Sequence, residues 1–229
     1  MKLAGESAYA RRDQVQLFYN NLCQKCARDT KLSQHYTDLQ EHGFTRGNLG
    51  ELGHSNPQFE AANPSAWDAA RSWDRSKNLW VFGPVGTGKS YLARCLLKRV
   101  CDSSFEDVGE TNMRSLPAAY ARFDKGGGVI DRWKEAQVLL IDDLDKARWN
   151  ENSIMALFDL LEDRHPDTRS GDRRTIVTSN VALPVLYESL QKVSPSNSSY
   201  VRGIFDRLNP CQTVELKGAS HRMQRDASA

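Results

Sequence analysis

With 229 residues, the chain can bury one domain of about 150 to 200 residues and leaves only a small remainder. Its 26% charged and 39% hydrophobic residues exclude a disordered or membrane-embedded chain. A net charge of +2 confines any contact with nucleic acid to a local patch.

No apolar run approaches the ~20 residues that cross a bilayer, and the start has no apolar leader core. Five irregularly spaced cysteines suit a reducing compartment. The expectation is a cytoplasmic protein without a membrane partner or a structural disulfide.

Residues 1–56 differ from the rest. "RRDQVQLFYNNLCQKCARD" places Val15, Phe18, Leu22 and Cys26 on one helical face, and "EHGFTRGNLGELGHSNPQ" is a Gly- and Asn-rich linker ending near Pro57. A small helical N-terminal segment is therefore expected over 1–56, ahead of a main domain over 57–229. Cys23, Cys26 and His35, with His42 or His54 as a fourth ligand, have the residue types of a zinc site. A second Cys-x-x-Cys pair is missing, and both cysteines also fit as small apolar residues on the packed face of the first helix.

Next, "FEAANPSAWDAARSWDRS" predicts one helix with Pro64 near its start. "NLWVF" predicts a buried strand, and after a Gly-rich loop "SYLARCLLKRV" carries Leu92, Leu96 and Val100 at helical spacing. In "AAYARFDKGGG", Tyr120, Arg122, Phe123 and Lys125 lie beside a glycine run. Aromatic and basic side chains together suit a DNA surface, whereas the spacing of Tyr120 and Phe123 suits a core face.

"VLLI" at 138–141 predicts a strand buried on both faces. "NSIMALFDLLEDRH" follows as a helix with Ile154, Leu157, Phe158 and Leu161 on one face and Asn152 as its N-cap. "RTIVTSN" is a further strand, "LPVLYESLQKV" and "YVRGIFDRL" are helices around the polar "SPSNSS", and "CQTVEL" is a last strand. Strands separated by helices imply an α/β fold with a parallel sheet flanked by helices.

The chemistry concentrates in three places. "GPVGTGKS", from Gly83 through Pro84, Val85, Gly86, Thr87, Gly88 and Lys89 to Ser90, fits G-x-x-x-x-G-K-[ST] in full, between a strand and a helix. Glycines there let backbone N–H groups close around phosphates, and the helix N-terminus adds partial positive charge. This predicts an ATP and Mg2+ site, with Lys89 on the phosphates, Ser90 on the metal and Tyr91 directly behind.

"VLLIDDLD" supplies Asp142 as a second metal ligand and Asp143 as general base, with Asp145 expected to cap the next helix. Aspartate rather than glutamate at 143 shortens the base by one methylene, which predicts slow or partner-stimulated hydrolysis. Asn180, at the tip of "TIVTSN", is placed to meet the γ-phosphate or the lytic water. Arg207 and Arg222 are either solvated charges or arginines that stabilise the transferred phosphoryl group, in cis or from a neighbouring subunit.

The ordered set "NLWVFGPVGTGKSYLA", "VLLIDDLD", "TIVTSN", "IFDRL" and "SHR" resembles the DnaC/DnaI helicase loaders and the related IstB transposition helpers, within the AAA+ ATPases. That resemblance covers some three quarters of the chain. It implies a sensor role for Asn180, a trans-acting finger role for Arg207 and a late-motif role for Arg222, where His221 replaces the usual aromatic. Too few residues follow Leu216 for a full C-terminal lid domain, which also fits the loader and helper group.

The resemblance further implies self-association through shared ATP sites. The first expectation is an ATPase that loads a replicative DNA helicase on single-stranded DNA, with 1–56 as its partner-binding segment. The alternatives are an IstB-like helper of a DNA transposase, or a nucleotide-gated helicase-binding protein with little turnover.

Overall fold

The computed structural model describes residues 57–104, 107–121, 128–165, 173–218 and 220, together with Asp29 and Ser33. The expectations for Cys23, Cys26, His35, His42 and His54 lie outside the described residues, as do those for Arg122, Phe123, Lys125, His221 and Arg222.

Among the described residues, five strands form one parallel sheet: β1 (Asn78–Phe82), β2 (Val108–Asn112), β3 (Val138–Asp142), β4 (Arg174–Ser179) and β5 (Cys211–Glu215). Their spatial order is β2-β3-β4-β1-β5. Among the residues described from 57 onward, the helices are α1 (Pro57–Ala62), α2 (Pro64–Arg71), α3 (Lys89–Ser104), α4 (Leu116–Ala121), α5 (Gly128–Glu135), α6 (Glu151–Arg164), α7 (Leu183–Val193) and α8 (Ser198–Leu208). No helix among the described residues is long and apolar enough to cross a membrane.

Alternation along each strand builds two cores. Leu79 and Val81 of β1 join Leu140, Ile176 and Val214 beneath α2 and α3, while Trp80 joins Leu139, Ile141 and Val177 beneath the helices of the other face. Such double burial explains why "VLLI" is apolar throughout. Tyr120 is partly buried against the second core, with Lys134 over its ring, so its helical spacing marks packing.

Three local expectations change. The predicted helix over "FEAANPSAWDAARSWDRS" is two helices, broken at Asn63, because Pro64 offers no N–H and disfavours helical φ/ψ in the residue before it. Helix α6 is capped by Asn150 rather than Asn152: Ser153 N–H donates to the Asn150 side chain at 2.9 Å, and Ser153 Oγ accepts from Asn150 N–H at 2.8 Å. "VGETN", too polar to be predicted as a strand, is β2, an edge strand with one neighbour.

At the strand-start end of the sheet, Arg164 is fully buried without a carboxylate in its hydrogen-bond set. Its guanidinium donates to Trp133 O at 2.6 Å, Ala136 O at 2.8 Å and Arg174 O at 2.7 Å. It thereby satisfies carbonyls left open where α5 ends. Burial, with repulsion from Arg173, pushes its pKa down to about 9, which leaves it charged at neutral pH. Arg164→Leu is expected to lower the unfolding free energy by about 3 kcal/mol, since several buried acceptors lose their donor together. Urea titration measures it, and a loss under about 1 kcal/mol would exclude this bracing role.

Candidate functional site at the strand ends

Carboxyl ends of adjacent parallel strands, where the chain order reverses, form a crevice suited to a ligand. Here the ends of β1, β3 and β4 lie side by side, with β4 between the other two. The motif from Gly83 to Ser90 leaves β1 and opens α3.

Two glycines of this loop have no substitute. Gly83 has φ 143°, and a Cβ there would fall 2.0 Å from Leu216 O. Gly86 has φ 82°, and its Cβ would fall 2.0 Å from Ser220 Oγ. Leu216 and Ser220, which follow β5, therefore lie against the loop.

Lys89 is buried within the loop. Its Nζ donates to Gly83 O and Pro84 O at 2.8 Å each and to Asn180 Oδ1 at 3.0 Å. Burial pushes its pKa down, opposed chiefly by Asp143, with Asp145 and Asp142 adding to the opposition. The predicted lysine and the predicted strand-tip asparagine thus meet directly.

Asp142 ends β3 with both oxygens engaged. Oδ1 accepts from Ser90 Oγ at 2.7 Å and from Thr178 Oγ1 at 2.5 Å, and Oδ2 accepts from Arg94 Nη2 at 3.3 Å. The paired hard oxygens of Ser90 and Asp142 fit Mg2+, which commonly takes few protein ligands and completes its shell with water and phosphate. Among the described residues, no group of three or more His, Cys, Asp or Glu side chains is arranged to hold a metal without such help.

Asp143 adopts a left-handed backbone, with φ 53° and ψ 46°. Aspartate tolerates this conformation better than most residues, and strain of this kind concentrates at functional sites. Its N–H donates to Thr178 Oγ1 at 2.8 Å, and its carboxylate pairs with Lys146 at 2.7 Å.

Asp145 is not a helix cap. It accepts from Asn180 N–H at 2.7 Å through Oδ1 and from Asn180 Nδ2 at 2.7 Å through Oδ2. The short 3-10 turn Leu144–Lys146 points it back at β4 and so fixes Asn180 with its amide oxygen toward Lys89.

Arg207 is not brought to this cluster. Asn78, which opens β1, donates to its carbonyl at 2.9 Å, so it sits about one strand length, roughly 16 Å, from the loop end of the sheet. Its guanidinium pairs with Glu162, donates to Gly203 O at 3.1 Å and lies 4.7 Å from the Phe158 ring centre.

Sequence reasoning missed Thr178, Arg94, Glu110 and the true role of Asp145. Thr178 stood in the quoted "TIVTSN", two residues before Asn180, but only the pairing of β3 with β4 sets it against Asp142. Arg94 and Glu110 left no motif.

A family model described as "IstB-like ATP binding protein" matches residues 25–229. A Sinorhizobium fredii protein named for an insertion sequence and for ATP binding is 30% identical over 156 residues, 65% of this chain and 58% of its own length. A Bacteroides fragilis protein of similar name is 26% identical over 155 residues, covering 66% and 55% respectively. The chain thus spans less than two thirds of the length of these relatives.

Among solved structures, DnaI aligns with TM-score 0.57 at 17% identity, over 76% of this chain and 95% of that one. The DnaC helicase loader aligns with TM-score 0.51 at 17% identity, over 71% and 100%. These likenesses are of fold, and the fold is the AAA+ α/β arrangement. Matched over most of its length by the family model, the chain belongs to the IstB-like ATP-binding proteins.

Proposed function

We propose that this protein is an ATPase that assists a DNA transposase, with ATP governing the assembly of its subunits on DNA. The reading is carried by one convergence: Lys89, Ser90, Asp142 and Asn180 meet at three strand ends in a chain of this family.

Phosphates would lie on the loop N–H groups and Lys89, and Mg2+ would sit with Ser90 and Asp142. When bound, the metal supplies charge neutralisation at the β- and γ-phosphate oxygens. Asp143 takes the water proton once its carboxylate leaves Lys146, and Asn180, oriented by Asp145, holds the water or the γ-phosphate. Arg207 serves the site of a neighbouring subunit, since it lies away from its own loop.

The transposase is favoured over a replicative helicase because the helicase loaders share the fold at 17% identity, whereas the family model and the curated relatives point to insertion sequences. The order of the two readings drawn from sequence is thereby reversed. A third reading, nucleotide-gated binding with little turnover, draws on the Asp143–Lys146 pair.

The test is ATP turnover of the full chain with duplex DNA, with single-stranded DNA, and with an insertion-sequence transposase. We expect the transposase with duplex DNA to raise turnover about tenfold or more, and Asp143→Asn to abolish the rise. Stimulation by a hexameric helicase on single-stranded DNA, with none by the transposase, would reverse the assignment. Equal negligible turnover in the wild type and Asp143→Asn under every condition would leave the non-hydrolysing reading.

A further inference from the structure

Beside the Ser90–Asp142 pair lies an ion pair that the hydrolysis reading does not use. Arg94 is four residues after Ser90 on α3, hence on the same helical face. Glu110 lies on β2, two residues before Asn112, whose register partner is Asp142. Both carboxylates therefore face α3 from adjacent strands, and Arg94 reaches between them.

The sharing is unequal. Arg94 donates to Glu110 Oε1 from Nε at 2.9 Å and from Nη2 at 2.5 Å, but reaches Asp142 Oδ2 only at 3.3 Å. The side chains of Arg94, Glu110 and Asp142 are 28%, 19% and 12% exposed, so water and salt screen these charges weakly. Glu110 thus holds the guanidinium back from a carboxylate that it would otherwise neutralise.

We propose that Arg94 and Glu110 are positioning residues that set the divalent-cation affinity of Asp142. Arg94 orients Oδ2 and lowers the affinity by its charge, and Glu110 limits that effect by retaining the guanidinium. Removal of Glu110 hands Arg94 to Asp142 and weakens cation binding. Removal of Arg94 leaves two neighbouring carboxylates and strengthens it. The inference rests on Asp142 being the carboxylate that meets the metal.

The probe is Mn2+ binding, followed by electron paramagnetic resonance with ADP present, alongside ADP binding in EDTA. Glu110→Gln is expected to raise the Mn2+ dissociation constant about tenfold, and Arg94→Met to lower it about fivefold. The double variant is expected to return within about threefold of wild type. Arg94→Lys, which keeps the charge, stays closer to wild type than Arg94→Met and serves if the latter fails to fold.

A merely structural pair would weaken Mn2+ binding and metal-free ADP binding together in every variant, with the double variant worst. That pattern, or shifts of the same sign in both single variants, overturns the proposal. Asp142→Asn separates the levels. If it leaves Mn2+ binding unchanged, the assignment of the metal carboxylate is wrong. If it weakens binding while Glu110→Gln and Arg94→Met stay within twofold of wild type, only the role of this pair is wrong.

Discussion

Lys89→Met is expected to weaken ATP binding by at least about 100-fold, roughly 2.8 kcal/mol, and to abolish turnover. Its ammonium is the buried cation at the loop, held by Gly83 O, Pro84 O and Asn180 Oδ1. Those oxygens fix the ammonium at the loop, where a bound phosphate would offer it a multiply charged partner in place of neutral ones. Methionine preserves the buried stem and removes the charge. Calorimetric titration with ATP checks the prediction, with the melting temperature as a control. A loss of less than about fivefold in a folded variant would remove Lys89 from the phosphate site.

Arg207→Ala is expected to lower turnover about 1,000-fold while ATP binding by the isolated subunit stays within about threefold. Its backbone lies at the far end of the sheet from its own loop, and Glu162, Phe158 and the Gly203 carbonyl hold its guanidinium there, so the proposed role has a neighbour's phosphate compete with them. Mixing supplies the decisive measurement. Arg207→Ala keeps an intact nucleotide site, and Asp143→Asn keeps an intact Arg207, so the mixture should regain turnover that neither variant shows alone. A mixture as inactive as its components would confine Arg207 to bracing α8 against α6.

How legible each part was follows from how local its cause is. The loop from Gly83 to Ser90 was readable because one contiguous stretch carries the glycines, the lysine and the hydroxyl. Strand β3 was readable because burial on both faces removes polar residues from it. Strand β2 was not, since an edge strand tolerates the polar pattern "VGETN" and its pairing with β3 comes from the topology. The N-cap of α6 moved from Asn152 to Asn150 because two asparagines compete at that helix start, and only the reciprocal bonds with Ser153 distinguish them.

Asp145 shows the same limit within the site. A carboxylate just past a strand and before a helix has a local role available, and capping is the one that sequence suggests. The turn Leu144–Lys146 instead aims it at Asn180, 35 positions away.

The sequence by itself determined the ATP-binding family and the α/β class, because the glycine-rich loop and double-sided burial are both written in short runs of adjacent residues. Only the tertiary structure decided that β4 lies between β1 and β3, and with it that Thr178 meets Asp142, that Asp145 fixes Asn180, that Arg94 is shared with Glu110, and that Arg207 stands at the far end of the sheet. Strand order follows from how helices of given length and apolar face pack on both sides of the sheet, a balance summed over the whole domain and visible in no single segment.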